Sequence, residues 1–263
     1  MNGSRRQLTT RAVARFYDEL WTRYRPRRDA SRRHLELLLT DGEIRGRTVL
    51  DAGCGSGVFC GIFAEKRAEH VIGVDISRGS LAAARRRLGA HAPRPATLAE
   101  ADMLRLPFRD GRFDIVWCWG AVHHTVSPPD AIRELARVTK PGGTLLITHY
   151  KRTRLSPAHD AIRRCLSAAP RRTWHGISKS LAALSAALIP AFQRRAKLRQ
   201  GESLSELVLD WCFTPVRHYD EPSAIAALLE SEHFAVECVV PACGRFDSTS
   251  NFIVKAQCQR NGR

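Results

Sequence analysis

The sequence predicts an α/β fold: a doubly wound, mostly parallel sheet with an antiparallel C-terminal strand, covered on one side by a helical cap. Three observations predict it. From Thr48 to Tyr150, short continuous apolar runs alternate with stretches of helical spacing, the signature of strands buried on both faces and of the helices that cross between them. The first of these runs ends in a glycine-rich turn that opens a helix. Near the C-terminus two further apolar runs are joined by a short polar loop containing Gly244, the pattern of an antiparallel pair. A chain of 263 residues, 44% hydrophobic and 26% charged, is long enough for one such domain with a substantial core.

The elements follow in order. Residues 9–39 read as helical, with Val13, Phe16, Tyr17, Leu20 and Trp21, then Leu35, Leu38 and Leu39, recurring at helical spacing around a break at Pro26. TVLDAG is the first strand and VFCGIFAEK its helix; HVIGVDIS is the second strand and SLAAARRRLGA its helix. ATLAEADM carries a third, shorter strand. FDIVWCWG is the fourth, DAIRELARVTK a helix, and GTLLITHY the fifth strand after a turn at Pro141-Gly142-Gly143. Right-handed crossovers turn this order into a doubly wound sheet. Residues 151–210 interrupt the alternation with helical stretches, AHDAIRRCL and ISKSLAALSAAL, the second placing Ile177, Leu181, Leu184 and Leu188 on one face. Helix SAIAALLES and strands FAVECVV and NFIVKAQC complete the sheet. The expected organisation is one structural domain: an N-terminal helical cap over 1–47, a core over 48–150, a helical insertion over 151–217, and the rest of the core over 218–263.

Composition narrows the function classes. No apolar run reaches the roughly 18 residues of a membrane span. The N-terminus lacks the apolar region and cleavage site of a secretory signal. The eight cysteines form no C-x-x-C pair and no zinc-like spacing, so reduced thiols, a cytoplasmic location and no metal site are expected. The net charge of +16 is uneven, +11 over residues 151–201 and −4 over 202–263. A basic face suits nucleic acid, an anionic membrane surface or an acidic substrate. Because 36 of the 42 basic residues are arginine, compositional drift accounts for the charge equally well.

The segment Val49-Leu50-Asp51-Ala52-Gly53-Cys54-Gly55-Ser56-Gly57 leads a buried strand into three alternate glycines and then a helix. Ligands in open α/β sheets bind beyond the carboxyl ends of the strands, and glycines let the backbone approach them. The dinucleotide spacing G-x-G-x-x-G fails here, since Val58 stands where its last glycine belongs. An acid at Asp51, before the loop, suits a ligand with a cationic amino group and no phosphate.

In these residues the chain resembles the class I S-adenosylmethionine-dependent methyltransferases, which share a Rossmann-like sheet. VLDAGCGSG resembles their first motif, VIGVDIS the second, EADMLRLPF the third, and FDIVWCWGAVHHT and ELARVTKPGGTLLI the fourth-strand motif and the turn before strand five. The set occurs in the family's order over about 100 residues. The resemblance implies S-adenosyl-L-methionine as cofactor, S-adenosyl-L-homocysteine as product, and a binding site from Asp51, Gly53, Cys54, Gly55 and Gly57. It also implies that Asp75, followed by Ile76, holds the ribose hydroxyls, that Asp102 meets the adenine amino group, and that Met103 offers a backbone contact. Trp117 and Trp119 share one strand face; Trp119, at the strand end, is the candidate to line the cofactor site and Trp117 the candidate for the core.

His123 and His124 follow the fourth strand and are the candidate catalytic residues, since imidazole is the side chain best matched to proton transfer near neutral pH. Tyr17 lies on an N-terminal helix of the kind that covers the cofactor in related enzymes. The later segment, LVLDWCFTPVRHYDEPSAIAALLESEHF, resembles one in bacterial type 11 methyltransferases, a group that includes the ubiquinone-biosynthesis-like small-molecule enzymes. That likeness suggests Asp210, Trp211, Arg217 and His218 toward the substrate, with helix or turn anchoring as the alternative. The expected activity is methyl transfer to a small-molecule or lipid-like acceptor. RNA methylation is the second reading, supported by the basic segment but without the Asn/Asp-Pro-Pro-aromatic motif or an appended RNA-binding module. A non-catalytic binding protein is the third. The helix near 177–189 is expected to pack in the cap, with peripheral membrane contact as its alternative.

Overall fold

Five strands run parallel, and helices cross the sheet after the first, second and fourth of them, while a loop joins the third to the fourth. The five are β1 (Thr48–Ala52), β2 (His70–Asp75), β3 (Thr97–Glu100), β4 (Phe113–Cys118) and β5 (Thr139–Tyr150), with β6 (Phe234–Pro241) and β7 (Asn251–Cys258) completing the sheet. The structure, a computed structural model, describes residues 3–23, 28–91, 96–188, 204–241 and 251–260. The predicted break at Pro26 and the loop with Gly244 lie outside the described residues. The spatial order is β3-β2-β1-β4-β5-β7-β6. β7 runs antiparallel to both β5 and β6, pairing Leu146 with Lys255 on one side and Val236 with Ala256 on the other. The order reverses between β1 and β4, which pair in parallel, Leu50 opposite Val116. The crevice beyond their carboxyl ends is the switch point where such sheets take ligands.

The helices are α1 (Gly3–Arg23), α2 (Arg28–Glu36), α3 (Asp41–Ile44), α4 (Val58–Glu65), α5 (Arg78–His91), α6 (Pro128–Val138), α7 (Ser156–Ser167), α8 (Arg171–Leu188), α9 (Leu204–Phe213) and α10 (Pro222–Ser231). Local sequence explains their ends. Thr40 and Glu43 form a reciprocal capping box on α3. Proline occupies the first turn of α6, α7 and α10, where its missing N–H costs nothing.

Two apolar layers sandwich the sheet. On one face Val116, Ile132, Leu135, Leu229 and Phe234 join β4 to α6 and α10. On the other, Leu35, Ile44, Phe59, Phe63 and Trp117 join α2, α3 and α4 to the strands. Residues 28–44 therefore pack on the sheet, and within the N-terminal segment it is α1 that joins the cap. A third cluster, Phe16 and Leu20 of α1 with Trp174 of α8 and Leu209 and Phe213 of α9, holds that cap together.

Two expectations need correction. The turn at Pro141-Gly142-Gly143 lies inside β5, because Thr139 already pairs with Phe113 before the register shifts to Thr144 opposite Ile115. On α8 the buried stripe is Trp174, Ser178 and Ala182, four residues apart, while Leu184 of the predicted face is 56% exposed. Ile177 of that face packs beside Trp174 in the cap cluster, so only the later part of the predicted face is turned outward. The side chain of Leu188 lies outside the described residues.

Candidate active site

The chain leaves β1 at Ala52 and turns through Gly53–Gly57 before α4 begins. Gly53 sits at φ +75°, and a Cβ there would lie 2.3 Å from Ala121 Cβ in the turn after β4. Only glycine lets the two loops come so close. Gly57, the N-cap of α4 at φ +71°, approaches Ala84 of α5 in the same way. The amides of Gly53 and Cys54 donate to the Val74 carbonyl at 2.8 and 2.9 Å. The Gly55 amide donates to Asp75 Oδ2 at 2.9 Å, and the Ser77 amide to Asp75 Oδ1 at 2.8 Å. The loop is thus stitched to the end of β2, and the Asp75 carboxylate is fixed there by two backbone donors. Burial raises its pKa to about 6, against the lowering effect of those N–H groups.

A cleft opens at this edge, with about 750 Å³ between protein atoms, part of it open to solvent. Gly53, Val74, Asp75 and Ile76 form its floor, and Ala101, Asp102, Met103 and Leu104 one wall. Trp119 to Ala121 and His124 to Val126 form the opposite wall, and Thr10, Val13 and Tyr17 of α1 close it from above. Among the described residues, no lysine or arginine lines it. Asp102 Oδ1 accepts from the Leu104 amide at 3.0 Å, which holds the backbone after β3 against the cleft. Trp117 and Trp119 stack with ring centroids 5.4 Å apart and planes 5° apart, as two side chains on one strand face must. Trp117 is fully buried, whereas Trp119 reaches the cleft.

The structure thus brings Gly53, Asp75, Ile76, Asp102, Met103, Trp119, Tyr17 and His124 together in one cavity. The other predicted site residues lie behind its walls. Cys54, Gly55 and Gly57 are buried within the loop and act through its backbone. Asp51 is 1% exposed beneath the loop, where its contact is the Cys60 thiol, which donates to Oδ2 at 3.1 Å; burial raises its pKa to about 7. His123 is 3% exposed with neither ring nitrogen hydrogen-bonded, packed 4.0 Å from the Tyr150 ring. Burial holds its pKa well below the usual histidine value, so it is neutral. Trp211 packs on His159, and the His218 amide donates to the His123 carbonyl at 3.0 Å.

His124 differs from its neighbour because a short 3₁₀ turn, Val122–His124, aims its ring at the cleft. Nδ1 lies 2.9 Å from the Val216 carbonyl. A carbonyl only accepts, so Nδ1 carries the proton and Nε2 keeps a lone pair. Burial lowers the pKa of the ring to about 4, and the ring of Tyr17 lies 5.6 Å away.

Sequence reasoning missed Asp18. Its Oδ1 accepts from the Ser77 hydroxyl at 2.7 Å and the Gly79 amide at 2.8 Å, so a side chain from α1 caps α5. A Cβ on Gly79 would meet the Asp18 backbone at 2.8 Å. Ser77 is itself the local cap, its hydroxyl accepting from the Ser80 amide at 2.9 Å, and the one available signal of a further contact was the glycine in the first turn of α5.

Comparison with known proteins bears on the same segment. Residues 50–147 match a family model described as a methyltransferase domain. The chain is 36% identical over 103 residues to methyltransferase GfsG of Streptomyces halstedii, covering 39% of this chain and 37% of that protein. It is 34% identical over 148 residues to the demethylmenaquinone methyltransferase of Corynebacterium urealyticum, covering 56% of each. The chain therefore spans well under two thirds of these relatives. Among solved structures, the S-adenosylmethionine-dependent methyltransferase of Mesorhizobium loti superposes with a TM-score of 0.55 at 21% identity, over 85% of this chain and 95% of that one, which shows a shared fold. The stretch that matches the methyltransferase-domain model runs from Leu50 of β1 to Ile147 of β5, the part of the sheet that borders the cleft.

Proposed function

We propose that the cleft binds S-adenosyl-L-methionine and that the chain transfers the methyl group to a small-molecule or lipid-like acceptor by in-line displacement, releasing S-adenosyl-L-homocysteine. One observation carries the reading: the Asp75 carboxylate, fixed at the end of β2 by two amides, in a cleft whose described lining holds no lysine or arginine. A carboxylate there suits the two hydroxyls of a ribose, and the lack of cations disfavours a pyrophosphate. The backbone at Gly53, with no Cβ to intrude, and the apolar wall of Ala101, Met103 and Leu104 fit an adenosyl group.

When bound, this cofactor supplies a methyl group already activated by a sulfonium. The protein's part is to hold, orient and shield. Asp75 and Asp102 hold the nucleoside, Gly53 and Ala121 narrow the passage beside it, and Thr10, Val13 and Tyr17 of α1 limit water. Such positioning is worth up to ~7–11 kcal/mol of a barrier in well-oriented systems. His124, neutral and with Nε2 free to accept, takes the proton from an acceptor that must lose one. The lining gives no support to a nucleic-acid acceptor. No described helix is long and apolar enough to cross a membrane.

Calorimetric titration with S-adenosyl-L-homocysteine tests the reading. The wild-type protein is expected to bind it and to ignore NAD. Asp75→Ala removes two charge-assisted hydrogen bonds of ~1.5 kcal/mol or more each, so affinity is expected to fall about 100-fold. Equal affinity in the variant, or a preference for NAD, overturns the assignment.

A further inference from the structure

Two arginines are buried in the cap, each 7% exposed, and their surroundings differ. Arg163 of α7 is fully paired: Nε and Nη2 donate to Asp160 at 3.0 and 2.7 Å, and Nη1 to the carbonyls of Thr214 and Pro215 at 2.7 and 3.0 Å. Among the described residues Arg217 has one hydrogen-bond acceptor, the Trp211 carbonyl, 3.1 Å from Nη1, while the Asp210 carboxylate acts on it only through its field. Its Nε is buried with no hydrogen-bond partner, and among the described residues no carboxylate lies within ion-pair distance. Its guanidinium instead lies over aromatic faces, 3.9 Å from the Tyr150 ring centroid, 4.9 Å from Trp211 and 5.8 Å from Tyr219.

Aromatic rings satisfy the faces of a guanidinium. They leave its in-plane N–H fork open, and that fork matches the two oxygens of an oxyacid. A buried cation with open donors is costly to fold around, so the cost points to a partner that arrives later. The position fits. Arg217 follows Val216, whose carbonyl holds His124, and it stacks on Tyr150, which lies 5.8 Å from the His124 ring. His124 and Tyr17 are walls of the cleft. Burial and Asp210 push the Tyr17 hydroxyl pKa up while Arg217 pulls it down, so the guanidinium's field reaches the cleft wall.

We propose that Arg217 is the anion-recognising residue of the acceptor site, and that the acceptor is an acidic small molecule presenting a carboxylate or a phenolate to its in-plane donors. This rests on the reading of the chain as a methyltransferase and narrows its substrate class.

The test uses the full chain saturated with S-adenosyl-L-homocysteine, probed at pH 8 by calorimetry and thermal shift with benzoate, 4-nitrophenolate and benzamide. Benzoate or 4-nitrophenolate is expected to bind at least tenfold more tightly than neutral benzamide, and whichever anion binds distinguishes carboxylate from phenolate. Arg217→Met should lose that preference while keeping its affinity for S-adenosyl-L-homocysteine within about twofold, and without ligand it should melt no lower than the wild type, because it removes an unsatisfied charge. A residue that merely anchors the turn would lower the melting temperature instead. Arg217→Lys keeps the charge without the fork and should retain part of the preference, so the question stays answerable if the Met variant misfolds. Anions that bind no better than benzamide, or a preference that survives in Arg217→Met, overturn the proposal. Failure of the wild-type protein to bind S-adenosyl-L-homocysteine overturns the cofactor reading itself.

Discussion

His123 and His124 are adjacent in sequence and opposite in circumstance. The ring of His123 is sealed among Tyr150, His149 and His124, while that of His124 is anchored by the Val216 carbonyl and faces the cleft. General-base assistance is worth ~10²–10⁴-fold, so His124→Gln is expected to lower kcat by that order with a proton-bearing acceptor, measured with labelled donor at saturation. His123→Leu removes a neutral, buried ring that does not line the cleft, and should leave kcat within about threefold on the same scale. With a pKa of about 4, His124 stays neutral from pH 8 to 5, so it adds no acid limb to kcat in that range. Asp75 sets a different limit. Ribose hydroxyls bind its ionised form, so below pH 6 the carboxylate must release a proton on binding. Affinity for S-adenosyl-L-homocysteine should then fall up to about tenfold per pH unit below that value, a dependence that calorimetry in buffers from pH 8 to 5 can follow.

At the scale of elements, the roof of the cleft is held by the packing of Phe16 and Leu20 in the cap and by one polar cross-helix contact. α1 has no acid in its first turn, and the side chain of Asp18 does its work on another helix, capping α5 through Ser77 and Gly79. Losing such a cap costs ~1 kcal/mol. Asp18→Ala should therefore lower unfolding free energy by about that much in urea titration and speed release of S-adenosyl-L-homocysteine in stopped-flow measurements, since Thr10, Val13 and Tyr17 ride on the same helix. An unchanged release rate would separate α1 from the closing of the site. α8 illustrates the same dependence on partners: its amphipathic stripe is legible in sequence, but Trp174 and its contacts in the cap decide how far the helix is turned.

Across the whole molecule, buried ionisable groups pull stability in opposite directions with pH. Asp51 has a folded pKa of about 7 against an ordinary value of 3.8, so the folded state holds an extra proton in that window and stability falls as pH rises through it. His124 has a folded pKa of about 4 against 6.5, so stability falls as pH drops from 6.5 toward 4. Their effects oppose one another between pH 4 and 6.5, and above 6.5 that of Asp51 remains. The melting temperature of the wild type is expected to fall slightly between pH 6.5 and 7.5 relative to Asp51→Asn, which calorimetry at the two pH values will detect. Parallel melting behaviour in the two proteins would show that Asp51 is already ionised in the fold.

The strands, their order of crossing, the glycine turn and the acid at the end of β2 were legible in the sequence because each rests on local rules: period, glycine conformation, and the place of a residue at a strand terminus. That Trp117 and Trp119 lie on one side of the chain followed from strand alternation, and the structure adds that their rings stack. Tertiary structure decided which predicted residues share a cavity. It placed Asp51 and His123 behind the wall, His124 in it, and Asp18 across two helices, because those outcomes depend on side chains more than 50 residues apart arriving at one place. It also left Arg217 buried with no carboxylate at ion-pair distance among the described residues, a fact that no spacing in the chain encodes.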